Sequence, residues 1–114
     1  IGSLGAHVAD YFDGQFDVVL CNPPWSQIDD KDVTSQLDLV SKEVISRKSA
    51  AFGDAYQNPR GEPDLPFLWK ATEWCRPQGR IAMVLPSRTL FRQGDLAVRA
   101  RTALFRLIRF TGIV

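Results

Sequence analysis

The run FDVVLC, Phe16 to Cys21, leads straight into Asn22-Pro23-Pro24-Trp25. A near-continuous apolar run of this length reads as a short strand of a parallel sheet, covered on both faces. The next residues end it. Two adjacent prolines fix φ and offer no amide to a ladder, so strand pairing stops at Asn22. A plain turn would be made more simply by Gly or Asp-Gly. The amide, the two rigid rings and the tryptophan therefore need a reason other than reversal of the chain.

The segments that follow tell where this junction sits. Asp29, Asp30 and Asp32 are N-cap candidates, and Val33, Leu37, Val40 and Val44 recur at helical spacing. From Ala50 to Pro63 the chain is rich in Gly, Asn and Pro, with Asn58-Pro59-Arg60-Gly61 as a turn cluster, and reads as a long functional or mobile loop. Asp64 is placed to cap the next helix, with Pro66 in its first turn. Phe67, Leu68, Ala71, Trp74 and Cys75 give that helix an apolar stripe, and Arg76-Pro77-Gln78-Gly79 stops it. Trp69 and Trp74 are expected to pack rather than to touch a substrate. Ile81 to Leu85 reads as a second strand, closed by Pro86-Ser87. A third helix is expected from about Asp95 to Arg106, with Leu96, Ala100, Ala103, Leu104 and Leu107 on one side, and a third strand over Leu107 to Val114. Strands alternating with helices argue an α/β fold, a mostly parallel sheet with flanking helices. Ligands of such sheets bind beyond the carboxyl ends of the strands. Asn22-Pro23 and Pro86-Ser87 both fall there.

Composition narrows the class. Hydrophobic residues make up 45% of the 114 and aromatics 11%, enough for a packed core and too apolar for disorder. The apolar runs are too short to span a membrane, and no signal region opens the chain. Net charge is +1, from 14 basic and 13 acidic residues, so no global basic excess marks a nucleic-acid partner. The distribution is uneven, however. From Arg76 onward come Arg80, Arg88, Arg92, Arg99, Arg101, Arg106 and Arg109 against the single acid Asp95. This basic third can face a phosphate backbone, or it can be a solvated helix face whose arginine stems cover apolar surface. Cys21 and Cys75 have no metal-ligand spacing and are expected as buried free thiols in a reducing cytoplasm. His7, the only histidine, has no partner nearby in sequence, and no metal site is expected.

Chemically, Asn22-Pro23-Pro24-Trp25 offers acceptors beside a plate. The prolines make a stiff loop whose carbonyls have no competing amides, Asn22 adds a side-chain acceptor, and Trp25 a flat apolar surface. Such a set suits a planar amine, whether an exocyclic base NH2 or a carboxamide. Accepting from the NH2 leaves its lone pair available, so no strong base is needed. The bland alternative is a strand-ending turn whose tryptophan fills core.

FDVVLCNPPW resembles the catalytic motif of the S-adenosylmethionine-dependent amino-methyltransferases: Asp, Asn or Ser, then Pro-Pro, then Tyr, Phe or Trp. Gln78 to Ser87, QGRIAMVLPS, is similar to the strand ending in Pro-Ser of the adenine methyltransferases, followed by an arginine-bearing helix as in restriction-modification enzymes. The likeness spans about Asp10 to Val114. It implies a partial Rossmann-like methyltransferase domain acting on the N6 amine of an adenine flipped out of DNA. Asn22 and the Pro23 carbonyl would accept from that amine, Pro24 would stiffen the loop, and Trp25 would stack on the base. Asp10 would lie near the adenine of S-adenosylmethionine, with Asp13 almost as well placed, and Arg88 and Arg92 would lie toward the DNA. The Gly-rich cofactor turn of the family has no counterpart here, since no apolar strand precedes Gly2-Ser3-Leu4-Gly5. Residues 1–114 are accordingly expected to be the catalytic half of a larger cytoplasmic enzyme, inert when isolated and prone to edge-strand self-association. Two rivals stay open. The same tetrapeptide serves glutamine-amide and ribosomal RNA guanine methyltransferases, and the basic third could make the chain a non-catalytic nucleic-acid or protein interaction module.

Overall fold

The computed structural model describes residues 13–24, 28–59 and 62–113. Strand β1 (Phe16–Cys21) is followed by helices α1 (Lys31–Lys48), α2 (Ala50–Ala55) and α3 (Asp64–Trp74). Strand β2 (Cys75–Met83), the single-turn helix α4 (Arg88–Phe91) and helix α5 (Asp95–Leu107) complete the order. The two strands pair in parallel, Val18 beside Arg80, Leu20 beside Ala82 and Cys21 beside Met83. This is the α/β arrangement with a parallel sheet that the alternating pattern demanded.

Local chemistry sets the element ends. Asp30 caps α1, its carboxylate accepting from the amides of Asp32 (2.8 Å) and Val33 (3.2 Å). The buried stripe of α1 is Leu37, Ser41, Val44 and Ile45, so Val33 is left exposed at the outer end of the expected face. Ala50–Ala55 forms α2 instead of opening a long loop, and Gly53 makes this possible. A Cβ there would stand 2.7 Å from the Ser46 Cα, so α2 folds back onto α1 only with glycine at the contact. Among the described residues the irregular segment shrinks to 56–59 and 62–63.

Arg76-Pro77-Gln78-Gly79 also behaves differently from a simple stop. Helix α3 ends at Trp74, with the Cys75 amide donating to the Ala71 carbonyl, and the strand begins at once. Cys75 sits opposite Phe16, whereas Arg80 sits opposite Val18, so β2 carries extra residues that bulge out of the ladder. Gln78 takes φ of 67°, and Gly79 passes so close to β1 that a Cβ would meet the Asp17 carbonyl oxygen at 2.9 Å.

The core lies between the helices and one face of the sheet. Val44, Ile45, Leu65, Leu68, Trp69, Ala100, Ala103 and Leu104 are buried together, with Ile81, Met83 and Leu85 packed against them. Burial of a side chain such as Ile45 or Leu104 contributes about 1.5–3 kcal/mol. The other face is open. Phe16, Val18 and Leu20 are exposed on β1 while Val19 is buried, so the described elements cover one side of β1 and not both. Residues 108–113 do not form the expected third strand, because no described strand pairs with them to complete a ladder. Cys21 and Cys75 are free thiols, half-buried rather than buried, and partial burial pushes the Cys21 thiol pKa up. No helix among the described residues is long and apolar enough to cross a membrane.

Candidate active site

Strand β1 delivers Asn22 to the end of the sheet. The Val84 amide donates to the Cys21 carbonyl (3.1 Å), extending the pairing to the last residue before the tetrapeptide. Beyond that bond the chains part: Asn22-Pro23-Pro24 leaves one strand and Leu85-Pro86-Ser87 the other. Asn22 is exposed, Pro23 buried and Pro24 exposed. Pro23 thus anchors the turn, and Asn22 is held at its foot. Among the described residues nothing bonds to the Asn22 amide, which leaves its oxygen and NH2 group open to a ligand. Trp25 and Asp10 lie outside the described residues, as do His7, Arg60 and Gly61.

The loop after β2 is built very differently. Asp64 does not cap α3. Pro63 occupies the cap, and Asp64 is the first helical residue, fully buried. Its two oxygens accept from Thr89 Oγ1 (2.7 Å) and Arg88 Nη2 (3.3 Å), which ties the start of α3 to α4. Buried Glu62 pairs with Arg92 and, at 3.5 Å, with Arg88 Nε. Two carboxylates and two guanidiniums thus form one neutral cluster behind Pro86-Ser87. Arg88 and Arg92, expected on the DNA side, are part of this cluster and keep 28% and 40% of their side chains exposed.

A second polar group sits deeper. Asn58 is buried, and its side-chain oxygen accepts from Tyr56 Oη (2.7 Å) and Ser41 Oγ (3.2 Å). Its amide group donates to the Leu37 carbonyl (3.2 Å), and its backbone N–H to Asp38 Oδ1 (3.1 Å). Trp69 Nε1 in turn donates to Tyr56 Oη at 3.1 Å. Burial drives the Tyr56 hydroxyl pKa far above its ordinary value. The hydrogen bond from Trp69 opposes this, and the charges of Asp38 and Asp64 add to it. A cleft of about 220 Å³ lies between α1 and residues 57–59 and 62, with Asp38, Asn58 and Glu62 in its wall. Asn22, Pro23 and Pro24 take no part in it.

Sequence reading put Asn22-Pro23 directly after a strand, as the structure does, but missed the bonding of Asn58, Glu62 and Thr89, and gave Asp64 the wrong task. Asn58 carried only a turn signal. The carboxylates Glu62 and Asp64, packed among prolines in the GEPDLP stretch, were the one hint that acids there are not simply solvated.

A parallel strand ending in an exposed amide, with Pro23 buried beneath it, matches the place of catalysis in open α/β enzymes. The family comparison decides what kind of enzyme. The model of the Eco57I restriction-modification methylase family matches residues 6–113. The chain belongs to that family. No curated protein and no solved structure matches it. This restriction-modification methylase domain therefore carries the methyl-transfer chemistry of its family. The matched span takes in β1, the tetrapeptide, the clustered carboxylates and the five described helices.

Proposed function

We propose that this methylase domain belongs to a larger restriction-modification enzyme and transfers a methyl group from S-adenosylmethionine to the exocyclic N6 amine of adenine in DNA. The observation that carries the reading is Asn22: an exposed, unengaged amide at the carboxyl end of β1, fixed from below by buried Pro23. The side chain of Asn58, which the core buries beside α1, is bonded within the fold, whereas this one is left for a ligand.

When bound, S-adenosylmethionine supplies an electrophilic methyl group. The residues on hand fit the acceptor side of such a transfer. The Asn22 side-chain oxygen and the Pro23 carbonyl accept the two amine hydrogens, and Pro24 keeps the loop rigid. Trp25 stacks on a base that has left the duplex. Holding the amine with its lone pair toward the methyl group turns much of the barrier into positioning, and the two acceptors stabilise positive charge growing on nitrogen. Asp10 holds the cofactor's adenine. Arg88 and Arg92 meet the DNA backbone, where guanidinium recognition of phosphate is geometrically favoured.

The test is direct. Intact enzyme is incubated with labelled S-adenosylmethionine and unmethylated bacterial DNA, and the digested DNA is analysed for N6-methyladenine. Methyladenine from the wild type, and about a hundredfold less or lower still from Asn22→Ala, is the expected result. Label in cytosine, or transfer only to a protein amide or to ribosomal RNA, would replace the adenine assignment.

A further inference from the structure

Helix α4 is a single turn of four residues that follows Pro86. One isolated turn fixes several dihedrals for a single hydrogen bond and does not hold itself. Its hold comes from outside: Thr89 Oγ1 and Arg88 Nη2 both donate to the buried carboxylate of Asp64, at 2.7 and 3.3 Å. One residue beyond α4, Arg92 pairs with Glu62, and the Arg92 carbonyl accepts from Arg101 of α5. Residues 62–64, α4 and α5 are thereby joined through side chains.

Stability is a weak reason for such a cluster. A buried ion pair seldom outperforms apolar packing of the same volume, because each charge loses its hydration. Its more general use is to fix geometry. Here both carboxylates are almost wholly buried, while the arginines they hold remain partly exposed. The acids sit behind and the cations in front. That polarity suits a guanidinium locked in one orientation and shown to an anion, which lowers the ordering cost of binding it.

We propose that Glu62 and Asp64 are positioning residues for DNA: they fix the guanidiniums of Arg88 and Arg92, through α4, as a preorganised site for backbone phosphate. The proposal rests on the DNA reading above and adds to it the residues that act behind the contact. It makes a prediction of unusual sign. Simple electrostatics says that removing a negative charge tightens DNA binding. Loss of positioning says the opposite.

The experiment measures duplex DNA affinity of the intact methylase at several salt concentrations, for wild type, Glu62→Gln, Thr89→Val and Thr89→Ser, with thermal melting alongside. Glu62→Gln is expected to weaken binding about fivefold although it makes the protein more positive. Thr89→Val, which removes a donor to Asp64 at unchanged charge, is expected to weaken it about threefold, and Thr89→Ser to restore it. Binding that Glu62→Gln leaves equal or tightens overturns the positioning role and leaves the DNA reading standing. Failure of the wild type to bind DNA overturns both. If Glu62→Gln and Thr89→Val both unfold at the assay temperature, the cluster serves stability and the proposal also falls.

Discussion

Two asparagines of this domain are bonded in opposite ways. Asn58 is buried, and its side-chain oxygen, its NH2 group and its backbone amide are all engaged, joining α1 to the segment that leads into α3. Asn22 is exposed and bonded to nothing among the described residues. The same side chain, with the same donors and acceptors, serves the fold in one place and is available for chemistry in the other. Saturation distinguishes them. A buried amide must be satisfied internally or it destabilises the interior, and once satisfied it has no capacity left for a ligand. An exposed amide has water as its default partner and exchanges it for substrate at little cost.

That contrast can be broken or sharpened by substitution. The largest effect is expected at Asn22, where Ala should lower methyl transfer by about 10²–10³-fold, as for loss of one donor or acceptor that stabilises charge in a transition state. Its unfolding free energy, measured in urea, should stay within about 0.5 kcal/mol of wild type. Asn58→Ala should do the reverse. It leaves the Ser41 and Tyr56 hydroxyls without their acceptor in the interior, and should cost about 2–4 kcal/mol in the same titration. The fraction that remains folded should keep its activity. If Asn58→Ala instead abolished transfer at full stability, the division would fail.

Smaller effects test how the interior network is wired. Tyr56→Phe removes the donor to Asn58 and the acceptor for Trp69 Nε1 while preserving the ring's edge-on packing against Trp69, and should destabilise by about 1–2 kcal/mol. The pH dependence gives a gentler probe. Because burial raises the Tyr56 pKa in the folded state, the unfolded chain ionises first, near its ordinary value of 10.0. Above that pH the folded state binds more protons than the unfolded one, so stability present below pH 10 declines as pH rises further. The wild type should therefore lose part of its advantage over Tyr56→Phe between about pH 10 and 11.5, read as converging melting temperatures. No convergence would mean that the hydroxyl reaches water.

Much of the architecture was legible because it depends on neighbours along the chain. Helix α1 begins after Asp30, as its cap chemistry requires, and α5 buries Ala100, Ala103 and Leu104 as its periodicity requires. The prolines after Cys21 ended β1 where they stand, since a residue without an amide cannot extend a ladder wherever the chain goes. The bulge in β2 was not legible. Arg76-Pro77-Gln78-Gly79 has turn composition, and only its passage against the Asp17 carbonyl reveals that it is looped out of a strand. The apolar run of β1 likewise promised cover on two faces, but cover is supplied by elements distant in sequence, and those described here pack on one.

The sequence by itself determined the junction of strand and tetrapeptide, the alternation of helices and strands, and the place of Asn22 at a strand's carboxyl end. These are consequences of φ restriction, amide loss and side-chain period, all fixed within a few residues. Tertiary structure alone decided which polar groups are spent on the fold. Asp64 reads as a helix cap and becomes a partner of Thr89, 25 residues away, and Arg88 and Arg92 read as DNA-facing and are paired with Glu62 and Asp64. A charge takes its role from its burial and its nearest opposite charge, and both are set by packing between segments that the chain order does not bring together.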